Sequence, residues 1–196
     1  MKRWFYARTW QCLAEAAWAA FGKSGGALTL DLGLLTGNEP DFTAIFHCCR
    51  GGRRSPPLLP DAFAQRVTTA KFLKPDVDRP LLVKLYTESF AVAMARVRRM
   101  ECAGLYWGDA EAEMLCVLLK SGVLTSLISL NLDRNGLSTE GLRLLTEALT
   151  DGGCTPNLLE VSLCDNLVSG DRGTATEQCK GMLVKVAAAR GFSLQL

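Results

Sequence analysis

His47, Cys48 and Cys49 form the one His/Cys cluster of the chain, and His47 is its only histidine. Imidazoles and thiolates ligate zinc and serve nucleophilic catalysis, so metal-dependent or hydrolytic chemistry would have to sit here. Two adjacent cysteines do not readily share a tetrahedral ion with one histidine, and no fourth ligand stands at a suitable spacing. Cys12, Cys102, Cys116, Cys154, Cys164 and Cys179 are scattered without a CxxC pair, the spacing that zinc ribbons and redox motifs need. They read as small buried hydrophobes. No metal and no cofactor are expected, and no hydrolase constellation assembles around His47.

Two other segments carry fragments of phosphate chemistry. GKSGG at 22–26 contains the end of a phosphate-binding loop, but the loop needs a glycine five positions before that of GKS, and Ala17 holds that place. RGGRR at 50–54, followed by SPPLLP, is basic and flexible enough to touch phosphates. Without interleaved aromatics it reads as a solvated linker. It closes an N-terminal extension, residues 1–60, whose fold is not assigned beyond a Trp-rich amphipathic stretch and a strand candidate at Ala27–Leu32.

The elements that would position any site are constrained first by composition. In 196 residues, 48% are hydrophobic and 21% charged, enough apolar material for a packed core and far from the disordered corner. The net charge of +2 leaves no strongly basic face, so nucleic acid is not an expected partner. Glu15, Asp31 and Lys84 interrupt the best apolar runs, so no membrane span is expected. The first residues carry basic side chains ahead of an alanine-rich stretch, as targeting peptides do. Arg8 and Glu15 fall where an apolar core should be unbroken, and a plain amphipathic helix is the expectation. Free cysteines suit a reducing compartment, and a cytoplasmic location follows.

An internal repeat organises the second half. Leu127, Leu130, Leu132 and Asn135 recur as Leu158, Val161, Leu163 and Asn166, each 31 residues on. A more degenerate copy lies 30 residues upstream, with Val97, Met100, Cys102, Trp107, Leu115, Leu118 and Leu119 in the apolar places and Leu105 where the others have asparagine. FSLQL at 192–196 repeats the strand alone. In LISLNL, Leu130 and Leu132 share one face of an extended chain. STEGLRLLTEALT then sets Leu142, Leu145, Ala148 and Leu149 at helical spacing behind a Ser138 cap, and Gly152–Gly153 are expected to end the helix. The side-chain amide of the recurring asparagine can satisfy backbone groups left open where strand turns toward helix, and stacked units would make it a ladder.

The pattern LxxLxLxxNxLxxxGxxxLxxAL from Leu127 to Leu149 resembles the ribonuclease-inhibitor type of leucine-rich repeat, over roughly residues 97–196. The resemblance implies an α/β fold, a short solenoid with parallel strands on a concave side and helices on a convex side, used as a non-catalytic scaffold that binds another protein. Members also occur in GTPase activators, so the alternative is a regulatory appendage that modulates a GTPase or other enzyme. Arg134 could then be read as an arginine finger, but nothing beside it supports that and a solvated turn residue is expected. Residues 61–96 are expected to cap the array. Leu82, Tyr86, Phe90, Ala93 and Val97 share a face in a helix read to begin just after Pro80. A partner-binding amphipathic helix is the rival reading.

Alternation selects the outward strand residues as the partner-binding surface: Arg99, Glu101, Ser129, Asn131, Asp133, Glu160, Ser162, Ser193 and Gln195. Reversing charge at Asp133 and Glu160 is expected to abolish partner capture and leave the fold intact. The oligomeric state is open.

Overall fold

The computed structural model describes residues 14, 16–20, 37–38, 40–49, 54–167 and 173–196. They form two compact units, one reaching Phe90 and one running Ala91–Leu196. The phosphate-loop fragment at 22–26, the strand candidate at 27–32 and residues 50–53 of the basic segment lie outside the described residues.

The first unit is helical. Helix α1 (Phe42–Cys49) starts behind Asp41, whose carboxylate accepts the Ala44 N–H at 2.8 Å. Helix α2 (Pro60–Thr68) begins with proline, which lacks the N–H that the first turn cannot satisfy. Helix α3 spans Pro75–Arg96, its residues from Ala91 onward belonging to the second unit. Phe63 of α2 stacks on Tyr86 of α3 with ring centroids 3.8 Å apart, and the Phe90 ring lies 5.9 Å from that of Tyr86. Trp18, in a helical stretch at 16–20, meets both Phe63 and Tyr86 and donates its indole N–H to Ser89 Oγ at 2.7 Å. The buried Tyr86 hydroxyl donates to the Leu58 carbonyl; burial raises its pKa far above the ordinary value, so it stays protonated.

Three expectations are corrected here. The helix does not begin after Pro80 but at Pro75, with Pro80 inside it. The start is held by Lys74, whose carbonyl accepts from Val77 and Asp78 and whose N–H is accepted by the Asp78 carboxylate. Its buried stripe is Leu82, Tyr86, Phe90 and Met94, four residues apart, rather than one ending on Ala93 and Val97, and Val97 lies beyond the helix. Arg54 is not a solvated linker residue: it is buried, as are Pro56 and Pro57. Prolines suit such a segment because they bring no N–H that needs a partner.

The second unit is mixed α/β, with a four-stranded parallel sheet in the order β1-β2-β3-β4. Its elements are β1 (Arg99–Glu101), α4 (Asp109–Lys120), β2 (Ser129–Asn131), α5 (Thr139–Thr150), β3 (Glu160–Ser162), α6 (Thr174–Arg190) and β4 (Ser193–Gln195). The register places Met100, Leu130, Val161 and Leu194 in one row across the sheet. The first three are buried, as are Cys102, Leu132 and Leu163 two residues on. Ala112, Leu115, Leu118 and Leu119 of α4 and Leu142, Leu145, Ala148 and Leu149 of α5 complete the core. Each fully buried aliphatic side chain contributes about 1.5–3 kcal/mol.

Gly104, Arg134 and Asp165 share one position in the three turns and all have left-handed backbone, at φ 67°, 55° and 57°. The bend therefore comes from the turn itself, with two non-glycine residues held in a costly conformation. Helix ends differ. Left-handed Gly122 and Gly191 follow α4 and α6 closely, whereas α5 stops at Thr150 because Asp151 turns extended at φ −80°, ψ 105°. Gly152 and Gly153 are not the terminator expected of them; the Asp151 carboxylate accepts the Gly153 N–H instead.

Candidate protein-binding surface

The asparagines hold the strand ends in place. Asn135 is buried; its Nδ2 donates to the Leu132 and Cys102 carbonyls, both at 2.9 Å, and its Oδ1 accepts the Trp107 N–H at 3.0 Å. Asn166 repeats this one unit later with Leu163, Leu132 and Leu137. Each asparagine thus ties its own turn to the preceding one. Among the described residues β1 is an edge strand of the sheet, and the buried Leu105 stands where asparagine would be.

On that frame the outward strand residues fall into rows. Arg99, Ser129, Glu160 and Ser193 are aligned by register, and Glu101, Asn131, Ser162 and Gln195 form the next row. Arg99, Ser193 and Gln195 are exposed, while Glu101, Ser129, Asn131, Asp133 and Glu160 are half-buried. Neighbours bond laterally: Ser129 Oγ donates to Glu160 Oε2 at 3.3 Å, and Asn131 Nδ2 donates to Glu101 Oε2 at 3.1 Å. The side-chain Oδ1 of Asn131 accepts the Asp133 N–H at 3.0 Å.

Ser162 departs from the expectation. It is buried, and its hydroxyl donates to Asp133 Oδ1, which also accepts the Cys164 N–H at 2.8 Å. Alternation sends Ser162 to the polar side, but the carboxylate from the neighbouring turn folds over it. Asp133 consequently supports the β3 turn, and reversing its charge would not leave the fold undisturbed. Glu160 carries no such duty to the backbone; its one hydrogen-bonded side chain here is the Ser129 hydroxyl.

Sequence reasoning missed the strand entrances. Leu159 is exposed and Ile128 half-buried, and the Leu159 N–H donates to the Ile128 carbonyl at 2.8 Å, so the two stand side by side just ahead of β3 and β2. A count that starts with the strand cannot register an apolar residue one place earlier. Arg134 is exposed, as expected of a turn residue, and its Nε lies 3.5 Å from Asp165 Oδ2, both side chains facing water. Such a pair is worth little.

These groups are donors, acceptors and ions suited to contact with another molecule. Burial pushes the Cys116 thiol up to about 12, and burial together with Asp151 raises that of Cys154, so neither thiol is activated as a nucleophile. Among the described residues, no group of three or more His, Cys, Asp or Glu is placed to hold a metal ion, and no helix is long and apolar enough to cross a membrane. Comparison with protein-family models, with curated proteins and with solved structures returned no match.

Proposed function

We propose that the Ala91–Leu196 unit is a short leucine-rich-repeat solenoid of the ribonuclease-inhibitor-like type, and that its strand face binds another protein without catalysing a reaction. The observation that carries this reading is the constant parallel register with its asparagine ladder. Equivalent residues from successive units stand side by side, so a polar row of Arg99, Ser129, Glu160 and Ser193 is displayed on a packed support. Polar groups held by lateral hydrogen bonds lose little further freedom when a partner docks. Ile128 and Leu159 supply the apolar contact that most interfaces need beside their polar groups. We place the protein in the cytoplasm, a reading supported by the free thiols of Cys116, Cys154, Cys164 and Cys179 among the described residues.

Affinity capture followed by cross-linking mass spectrometry tests the reading. Cross-links from the partner should map to the strand face, and Arg99→Glu with Glu160→Arg should reduce recovery of that partner at least tenfold while the circular dichroism spectrum is retained. Cross-links confined to α4, α5 and α6, with recovery unchanged in the double variant, would overturn it.

A further inference from the structure

Helix α3 has a second apolar face. Besides the buried stripe, Val77, Leu81, Leu85 and Val92 are 47–63% exposed, and Leu73 just ahead of the helix is 97% exposed. At 100° per residue these four helical positions fall within about 80° of one another, with Lys84 and Glu88 beside them. An aligned stripe of four large aliphatic side chains is more than the scattered exposure normal for a surface. The charges say what fits it. Asp76 and Asp78 lie in the first turn and Arg96 in the last, and Lys84 and Glu88 lie in the middle, their side chains 70% and 62% exposed.

We propose that α3 is a self-association helix, on which a second copy of this chain packs antiparallel about a twofold axis close to Tyr86. That axis sets Leu81 opposite Val92 of the partner copy and Val77 opposite its Ala95. Asp78 then faces Arg96 of the partner copy, and Lys84 faces its Glu88, each pair occurring twice by symmetry. Asp78 and Arg96 fall on the same flank of the stripe, as this twofold requires. In a parallel pair the twofold runs along the helices and turns the Asp78 and Arg96 flank toward the opposite flank of the partner copy, where neither meets an opposite charge, so the charge pattern selects the antiparallel arrangement. One helix pair buries less than the roughly 1,200 Å² of a standard interface, so the dimer is weak, with a Kd on the order of 10–100 µM.

Sedimentation equilibrium on the full chain from about 1 µM to about 1 mM spans that range. The wild type should move from monomer toward twice the monomer mass, and Leu81→Glu should hold it monomeric. Asp78 and Arg96 are eighteen residues apart, about 27 Å along the helix, and cannot touch within one chain. Asp78→Arg and Arg96→Asp should therefore each weaken self-association tenfold or more, while an equimolar mixture of the two should associate at least as well as wild type, because every cross pair is then Arg against Asp. Circular dichroism of each variant checks that α3 is retained, and the mixing result stands even if Leu81→Glu fails to fold. A chain that stays monomeric across the range overturns the proposal and leaves the stripe to a different protein or to lipid. A dimer indifferent to these variants, or single variants that do not associate on mixing, overturns it equally.

Discussion

The carboxylate of Asp109 occupies the space that a side chain on Gly141 would need. A Cβ there would stand 2.5 Å from Asp109 Oδ1, which instead accepts the Gly141 N–H at 3.0 Å. The same carboxylate accepts the N–H of Ser138 at 2.9 Å and its hydroxyl. One residue at the start of α4 thereby satisfies open donors at the start of α5, where the helix dipole favours negative charge.

Gly141→Ala should consequently destabilise the chain by about 1–3 kcal/mol, even though alanine gains about 1 kcal/mol over glycine within a helix. Asp109 is short and held by three hydrogen bonds, so it cannot swing away at little cost. In an Asp109→Ala background the obstruction is gone, and the same Gly141→Ala change should become neutral or stabilising by up to about 1 kcal/mol. Urea unfolding of the four proteins in this cycle measures the difference; additive effects would show that the two residues do not oppose each other.

Asn135→Ala should cost about 2–4 kcal/mol. It removes the side-chain hydrogen bonds to the Trp107 N–H and the Cys102 carbonyl, while the Leu132 carbonyl keeps its bond from Asn166 Nδ2, at about 1–2 kcal/mol for each buried hydrogen bond lost. Asn135→Leu, which copies the residue at Leu105, should cost nearly as much, because leucine can make none of the bonds by which Asn135 ties its own turn to the preceding one. Thermal unfolding would reveal a loss under about 1 kcal/mol, a result incompatible with the rung.

The α4–α5 surface should weaken in acid. The hydrogen bond from Lys120 Nζ, 2.7 Å from Glu147 Oε1, is the largest influence lowering the Glu147 pKa, and Arg143 does the same for Glu140. A carboxylate whose folded pKa lies below its unfolded value of about 4.3 stabilises the fold above that value and ceases to as pH falls through the folded pKa. Glu147→Gln should therefore have a lower Tm than wild type near neutrality, with the gap closing in acid below pH 4 and shrinking at high salt. A gap that is the same at every pH from 2 to 7 would assign the effect to packing.

Much of the second unit was legible because its information is local and periodic. The placement of Met100, Leu130 and Val161 in one row needs only the two-residue alternation of a strand and the 30- and 31-residue offsets, and the register reproduces both. Ser138 was legible as a cap and does accept the Glu140 N–H. The ends of elements were not. Pro80 resembles a helix start because proline tolerates the first turn, yet Lys74 and Asp78 supply a stronger one upstream. Gly152–Gly153 resemble a stop, yet Asp151 turns the chain first.

The amino-acid pattern alone determined which residues of the repeat face inward, how far apart its units lie and where its asparagines recur, since each follows from the geometry of a strand or helix taken by itself. The tertiary structure alone decided that Asp133 covers Ser162, that Asp109 stands against Gly141, that Arg54 is buried and that Trp18 and Phe63 close on Tyr86. Those pairs are joined by packing across intervals of 23 to 68 residues, or rest on it. A side chain's own spacing cannot say which neighbour will reach it once separate elements are stacked.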